Sequence, residues 1–509
     1  MSEATTNNKR ILKNTIFLYF RMFLVMAISL FTSRVILKNL GVEDFGIYNV
    51  VGGVVAMMAV VNSSMGVATQ RYITFALGKK DYEQLKQVFN TSILIYVLLS
   101  FLLIGLAETI GLWWVNNKLV IPEARMEAAN WVYQYAILSC CLTLLVNPFN
   151  ATIIAYEKMD YYAYLSIVEV TLKLLVAYII MMIPYDKLNT YGFLILAVHV
   201  IVLLMYLIYC RKHFSECRFK YYRNNTLFKE LLSYSGWNLF AAFSGVAKGQ
   251  GLNIMLNAFF GPTVNAARGI AYQINAVITQ FFTNFYTAVK PQVTKYYAQD
   301  KHDEMFKLIF MSARMSFFLI LFISLPIMVE THSIIMLWLN TDIDYVVVFT
   351  RLIILISAID AMATPLMTLM HATGKIRLYQ MVISVSTILI LPFSYICLRY
   401  FNCNPTSAFV VSLCTSIFCM FARLWLVNRQ VDFPIKEYIF SVYARCVLVA
   451  ILSAIVPAMI YFQLQESIQR MIIVCAVSVL SSATAIMTIG MNRNERGFVY
   501  NQITKIIKR

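Results

Sequence analysis

A small set of charged residues lies deep inside long apolar stretches of this sequence, where ionised groups are expensive. An Asp, Lys or Arg at the centre of a membrane helix costs about 2.5–3.5 kcal/mol on insertion scales, so each is either paired or functional. Asp360 stands mid-stretch with no basic residue one helical turn away, and Glu108 is a similar case. We predict that these carboxylates bind a proton or a cation. For Asp360, an ion pair with a basic residue on another helix is the alternative.

Two further charges share one apolar stretch. Glu169 and Lys173 lie four residues apart with the acid first, a spacing that places both on one helix face in the orientation that favours an ion pair. They are candidates for ion coupling, and a purely structural pair is the alternative. His199 also lies mid-stretch, where we expect a hydrogen-bonded core histidine in preference to a proton relay.

Four basic residues are candidates for contacting an anionic group. Lys248 lies in the small-residue run 247–251, Arg21 is seven residues into the first apolar stretch, and Arg268 and Lys290 bracket another. The sequence leaves two interpretations for Arg21: its side chain faces a lumen, or it extends to the membrane surface. Because Arg and Lys bind phosphate groups strongly, this set predicts an anionic substrate, whereas an exporter of cationic drugs needs acidic residues there.

Basic residues near the ends of the stretches are expected to extend to the membrane surface. They are Lys13, Arg34, Arg314, Arg351, Arg423 and Arg445.

The elements that must position these charges are membrane-spanning helices. Of the 509 residues, 60% are hydrophobic and 13% are charged, about half the charge of a soluble chain. Each span needs about 20 apolar residues and a connection, which leaves little chain for a soluble domain and excludes an ordinary soluble enzyme. We predict about fourteen transmembrane helices in an all-α polytopic membrane protein. They are 14–37, 45–69, 88–115, 128–149, 161–184, 190–210, 231–257, 266–289, 305–329, 346–370, 378–400, 405–428, 438–462 and 469–490.

Loop charge predicts the orientation. The net charge is +17, and about 27 basic residues fall in one set of loops against about six in the alternate set. The side rich in basic residues is predicted to be cytoplasmic, so both termini are inside and nucleic-acid binding is not expected.

The ten cysteines show no metal-ligand spacing, so we expect neither a metal site nor disulfides. No cleavable signal pattern follows the N-terminus.

The sequence contains an internal repeat. Residues 40–46 (LGVEDFG) resemble residues 260–266 (FGPTVNA), and residues 75–81 (FALGKKD) resemble residues 297–303 (YAQDKHD). Six predicted spans separate the copies, so both halves enter the membrane from the same side. This arrangement predicts two parallel-related six-helix bundles around a central cavity, with transport by alternating access. Two additional C-terminal helices lie outside the repeat. The predicted domains are residues 1–226, residues 227–430, and residues 431–509 with the cytoplasmic tail.

The energy source is predicted by elimination. No phosphate-binding G-x-x-x-x-G-K-S/T loop and no hydrolase motif is present in the sequence. We therefore expect no cofactor and no enzymatic activity, and transport coupled to an H⁺ or Na⁺ gradient.

Residues 40–48 (LGVEDFGIY) resemble the Leu-Gly-x-x-acid-aromatic-Gly-x-aromatic stretch of the Wzx-type polysaccharide-transport family. Residues 69–72 (TQRY) and 78–81 (GKKD) fit the same family, which shares a superfamily with MATE exporters and MurJ-type flippases. The resemblance implies a bacterial inner-membrane flippase that moves undecaprenyl-pyrophosphate-linked oligosaccharide to the periplasmic leaflet. It also implies a basic cavity for the diphosphate, a lipid-side groove at the last two helices, and membrane lipids as partners. A polysaccharide polymerase with its chain-length machinery is a candidate partner. The family motif assigns no role to Arg21, Lys248, Arg268 or Lys290, which are selected by depth alone.

Two alternatives remain. A MATE-like multidrug or cation antiporter shares the two-bundle plan but is expected to have twelve spans and fewer basic lumen groups. A multi-span O-antigen polymerase or ligase belongs to the same pathway, but it is expected to carry a large periplasmic loop with catalytic charges. The predicted outward loops are mostly under about 15 residues.

Overall fold

A computed structural model describes residues 3–56, 59–117, 121–218, 220, 222, 224–339, 344–492 and 495–497. Within these residues the regular secondary structure is helical, with no β-strand, which confirms the predicted all-α class. The helices of the first half are α1 Glu3–Ala56, α2 Ala59–Lys79, α3 Tyr82–Leu106, α4 Leu112–Asn117, α5 Met126–Ala155, α6 Met159–Met182 and α7 Lys187–His213. Those that follow are α8 Asn225–Ala298, α9 His302–Val329, α10 Thr331–Leu339, α11 Val346–Thr373, α12 Arg377–Arg399, α13 Ser407–Asn428, α14 Ile435–Tyr438, α15 Arg445–Gln463 and α16 Ile468–Ala485.

Short helical turns of other types extend several of these helices. Two 3₁₀ turns cover Glu123–Arg125 and Ser215–Cys217, and three π-helical turns cover Ala107–Gly111, Ile439–Ala444 and Ile486–Gly490. The π-helical turns continue α3, α14 and α16 without a break.

Within the described part of the chain, eleven helical segments are long and apolar enough to cross a membrane. Each overlaps one of the fourteen predicted spans, so the protein is a multi-pass membrane protein. The other three predicted spans, 45–69, 231–257 and 266–289, fall on α1, α2 and α8 but are not among the eleven, and the number fourteen stays a prediction. Part of the predicted loop charge lies outside the described residues: Lys118, Arg223, Arg493, Lys505, Lys508 and Arg509.

The internal repeat is visible in the backbone. Inside α1, Gly41 has φ 81° and ψ 171°, and inside α8, Gly261 has φ 79° and ψ −172°. Residues with a Cβ rarely adopt this conformation, so each glycine permits a sharp change of helix direction. The turns that follow α2 and α8 also match, because Lys80 and Asp300 have φ 58° and 56°. These pairs lie 220 residues apart, in agreement with the repeat predicted from the sequence.

The chain divides into two compact units. Unit 1 comprises Met1–Ala242 with Thr294–Asp300, and unit 2 comprises Phe243–Val293 with Lys301–Arg509. The last two long helices, α15 and α16, therefore belong to unit 2. The predicted domain borders at 226/227 and 430/431 stay predictions.

Unit 1 combines an aromatic core with ion pairs at its helix ends. Tyr96 and Tyr133 are among its largest fully buried side chains. Arg125 donates to Asp44 through Nε at 2.8 Å and also forms an ion pair with Asp186, so one guanidinium joins three chain segments. Such contacts fix the helix ends that carry the loops.

A second ion-pair network in unit 1 centres on Glu157, whose side chain is 1% exposed. The Lys295 Nζ donates to Glu157 at 2.5 Å, and Arg10 pairs with the same carboxylate. Burial lowers the pKa of Lys295, an effect that the Glu157 carboxylate opposes in part. This network holds the end of α8 within unit 1.

Unit 2 also has buried aromatic residues and buried ion pairs. Phe349 and Phe409 pack at 4.3 Å between ring centroids. Arg470, at the start of α16, donates to Glu330 at 2.9 Å and 3.1 Å, and Arg314 of α9 pairs with Glu495. These pairs attach the C-terminal helices to α9 and its end.

Candidate functional site

Unit 2 brings a carboxylate and three basic side chains of different segments close to one another; we call Lys248, Arg268, Asp360 and Arg423 the unit 2 cluster. The Asp360 Oδ1 on α11 lies 3.6 Å from the Arg423 Nη1 on α13. The Asp360 side chain is 46% exposed and that of Arg423 is 14% exposed. Arg423 also donates through Nε to the Tyr379 hydroxyl of α12 at 3.2 Å. Three helices thus position one loose ion pair.

The other two basic residues of the unit 2 cluster lie on α8, one on each side of the Gly261 kink. Lys248 interacts electrostatically with Asp360. Arg268 donates to the Gly249 carbonyl at 2.6 Å and to Asn253 Oδ1 at 3.0 Å. Because Gly249 follows Lys248 directly, the kink brings both predicted basic residues to one place.

The unit 2 cluster carries more positive than negative charge. It contains three cations and one carboxylate; Arg423 and Lys248 interact with Asp360, and Arg268 contacts the residue after Lys248. Two nitrogens, Arg268 Nε and Arg423 Nη1, are buried without a hydrogen-bond partner among the described residues. An anion with several acceptor oxygens can accept from such donors.

Unit 1 contains a second intramembrane group of charges, formed by Arg21, Glu169 and Lys173, which we call the unit 1 cluster. Arg21 of α1 donates to Ser166 Oγ at 3.3 Å and lies 4.6 Å from the centre of the Tyr162 ring. One and two turns along α6, the Lys173 Nζ donates to Glu169 at 2.6 Å. The ion pair that the four-residue spacing predicts is therefore present, and the unit 1 cluster has one positive charge in excess.

His199 on α7 interacts electrostatically with both members of this pair. Its Nδ1 lies 2.8 Å from the Ile195 carbonyl. Because a carbonyl can only accept, Nδ1 must carry the proton, as expected for a hydrogen-bonded core histidine.

Two predicted site residues are not part of either cluster. Lys290 lies on the same helix as Arg268 but 22 residues later, about 33 Å along an α-helix. Glu108 lies in the π-helical turn after α3, where it accepts from Gln134 Nε2 at 3.2 Å. Their proposed roles in anion binding and ion coupling stay predictions.

Sequence reasoning missed Arg423 and Tyr379. Arg423 was expected to extend to the membrane surface, yet its side chain is 14% exposed and turned toward Asp360. The same expectation is wrong for Arg314, which is 3% exposed and ion-paired. Both residues lie close enough to a helix end to reach it, so depth in the sequence carries no signal of their pairing.

In the part of the chain that the structure describes, no three His, Cys, Asp or Glu side chains are grouped to hold a metal ion.

Comparisons with known proteins give the fold. The MatE family model matches residues 18–179, about a third of the chain. A search of curated protein sequences found no significant match. An outward-facing multidrug resistance MATE family transporter of the MOP superfamily superposes with a TM-score of 0.71 at 12% identity, covering 84% of this chain and 96% of that one.

Two further solved structures agree. A MATE protein in the bent conformation gives a TM-score of 0.68 at 14% identity, with 84% of this chain and 98% of that chain covered. A MOP superfamily transporter from Pyrococcus furiosus, described as having a binding pocket of reverse polarity that suggests a different function, gives 0.67 at 13% identity, covering 84% and 96%. The chain therefore has the fold of the MATE transporters.

Proposed function

We propose that this protein is a flippase that moves undecaprenyl-pyrophosphate-linked oligosaccharide from the cytoplasmic to the periplasmic leaflet of the bacterial inner membrane. Transport proceeds by alternating access coupled to an H⁺ or Na⁺ gradient, with both termini cytoplasmic. The observation that carries the proposal is the excess positive charge of the unit 2 cluster. A diphosphate-linked lipid presents negative charge and acceptor oxygens to Lys248, Arg268 and Arg423, and such contacts are stronger than neutral hydrogen bonds.

The unit 1 cluster supports the same class of cargo. Arg21 and Lys173 outnumber Glu169, so each unit carries excess positive charge at membrane depth. A transporter of organic cations needs the opposite balance, because like charges repel strongly where the effective dielectric constant is low. The reverse polarity described for the Pyrococcus furiosus protein shows that one fold accommodates pockets of different charge.

The second candidate is a multidrug or cation antiporter. It is favoured by the MatE family match over residues 18–179 and by the half-exposed carboxylate of Asp360. A drug-susceptibility panel on a deletion strain separates the two candidates, because loss of an exporter sensitises the cell to cationic compounds whereas loss of a flippase leaves their efflux unchanged.

The flippase proposal is tested by deleting the gene and following lipid-linked repeat units in each leaflet. We expect the units to accumulate in the cytoplasmic leaflet while surface polysaccharide is lost. Normal surface polysaccharide in a strain without a paralogue refutes the proposal.

The site is tested with Lys248→Ala and Arg268→Ala. Losing one charge-assisted contact of about 1.5–3 kcal/mol predicts export roughly 10- to 100-fold slower, provided that the protein still inserts into the membrane. Lys375→Ala and Arg399→Ala are matched controls because both residues are exposed, Lys375 two residues before α12 and Arg399 at its last residue. We expect normal export from both variants. Full complementation by both cluster variants removes Lys248 and Arg268 from the site.

A further inference from the structure

The ion pair in the unit 2 cluster is unlike the structural ion pairs of the same unit. Arg470 and Glu330 are 7% and 0% exposed and bond at 2.9 Å and 3.1 Å. Asp360 is 46% exposed and lies 3.6 Å from Arg423, beyond the usual length of a charge-assisted hydrogen bond. The carboxylate is therefore held loosely and is about half exposed.

The donors around Asp360 are also incompletely used. Arg423 has a buried Nη1 with no hydrogen-bond partner among the described residues, although its Nε is bonded to Tyr379. Lys248 approaches the same carboxylate from α8. One carboxylate thus serves two cations and leaves the Arg423 Nη1 without a hydrogen bond among the described residues.

From this geometry we infer that Asp360 is an internal counter-ion of Lys248 and Arg423. A phosphate-type dianion displaces the Asp360 carboxylate from these two cations when it binds. Proton uptake by Asp360 and anion binding therefore favour each other. This inference rests on the proposed anionic cargo and specifies how the unit 2 cluster is regulated. The ligand class is a tetrahedral oxyanion, either free or as the head group of a lipid.

The sign of the linkage follows from the charges on every element that faces Asp360. These are Lys248 on α8, Tyr379 on α12, and Arg423 and Cys419 on α13. The π-helical turn 439–444 adds Tyr443, which faces Arg423.

Asp360 is the only carboxylate among these groups. When it takes up a proton, the net positive charge that a bound anion meets increases by one. Binding linkage is reciprocal, so a bound anion favours proton uptake by the same factor.

The experiment measures anion binding to the purified full-length protein in nanodiscs by isothermal titration calorimetry. Sulfate is the first probe because its charge does not change between pH 5 and pH 8, and inorganic pyrophosphate is the second. We expect wild-type sulfate affinity to rise as the pH falls. Titrations in two buffers of different ionisation enthalpy should also show proton uptake on binding.

The decisive variant is Asp360→Asn, which keeps the side-chain shape and removes the competing charge. We expect sulfate to bind about tenfold more tightly at pH 8, within the 5- to 150-fold range typical of coupled sites, and the pH dependence to disappear. The matched control is Glu83→Gln, because the Glu83 side chain is 68% exposed in its pair with Lys86 of unit 1, outside both clusters, and should leave both properties unchanged.

The outcomes separate this inference from the proposed function. Weaker or unchanged sulfate binding by Asp360→Asn, or wild-type binding without proton uptake, overturns the counter-ion role while leaving an anion site in place. The wild-type measurement decides the matter even if the variant fails to fold. If neither sulfate nor pyrophosphate binds at any pH, the anion site is refuted, and the observation that carries the proposed function is lost with it.

To distinguish free anions from head groups, vesicles containing a diphosphate lipid are compared with inorganic pyrophosphate, and competition between them supports one shared site.

Discussion

The buried pair of Arg470 and Glu330 offers a direct test of how unit 2 is held together. Arg470 begins α16, and its guanidinium donates to Glu330, which caps the end of α9. The guanidinium also lies 4.5 Å from the centre of the Tyr461 ring of α15. The side chains are 7% and 0% exposed, so water screens neither charge. We predict that removing one partner destabilises unit 2 strongly.

The magnitude follows from desolvation. Arg470→Met leaves the Glu330 carboxylate buried without its cation, a change that costs about 3–5 kcal/mol. At about 2 °C for each kcal/mol in a large domain, the unfolding temperature should fall by about 6–10 °C. Replacing both partners, in the double variant Glu330→Leu with Arg470→Met, should recover most of this loss because no unpaired charge remains.

The assay is thermal unfolding in detergent, followed by intrinsic tryptophan fluorescence for the wild type, the two single variants and the double variant. The control is Glu83→Gln, since the Glu83 side chain is 68% exposed in its pair with Lys86 and should leave the unfolding temperature unchanged. Losses below about 2 °C in both single variants, or a double variant as unstable as the sum of the singles, would refute the account of a tightly coupled buried pair.

Two further predictions concern packing and pH. A Cβ at Gly78 would lie 2.7 Å from the Ala298 Cβ, so Gly78→Ala should destabilise the protein by about 1–3 kcal/mol. Gly105→Ala, where a Cβ meets nothing within 4 Å, should stabilise it slightly, and equal effects in the two unfolding curves contradict the steric explanation. The hydrogen bond from His332 holds the pKa of Glu466 below its ordinary value of 4.5. A depressed carboxylate pKa stabilises the folded state at higher pH and loses this effect on acidification, so the unfolding temperature should fall below about pH 4.5. Glu466→Gln should flatten this part of the profile between pH 3 and pH 6, and an unchanged slope would show that other groups cause it.

The helices were largely predictable because their signal is local. A membrane span is defined by an apolar window of about 20 residues, and eleven of the predicted windows coincide with described helices of sufficient length and hydropathy. The kinks at Gly41 and Gly261 were not predicted as such, yet the motif match between their segments pointed to two equivalent positions. The windows at 231–257 and 266–289 are less apolar, and they belong to the helix that carries Lys248 and Arg268.

The candidate site was predictable only in part. Depth within a span identified Lys248, Arg268 and Asp360, and the four-residue spacing identified the pair of Glu169 and Lys173, because both signals are local to one helix. The partner Arg423 lies on a different helix, 63 residues beyond Asp360 in the sequence. Whether such an arginine turns to a carboxylate or to the membrane surface depends on tertiary packing, which no spacing rule contains.

The structure separates intramembrane charges into two kinds, and the difference argues for an anionic cargo. Arg314 is neutralised by Glu495, and Arg470 is neutralised by Glu330, with Glu466 as a second carboxylate at 3.8 Å. The unit 2 cluster sets three cations against one half-exposed carboxylate among the described residues. Excess buried charge costs several kcal/mol for each ion, and the neutral partners of Arg268, which are Asn253, the Gly249 carbonyl and the Tyr272 ring, contribute no negative charge to balance it. A bound anion would offset this cost in the loaded state, which explains why the site carries more cations than it needs for its own stability.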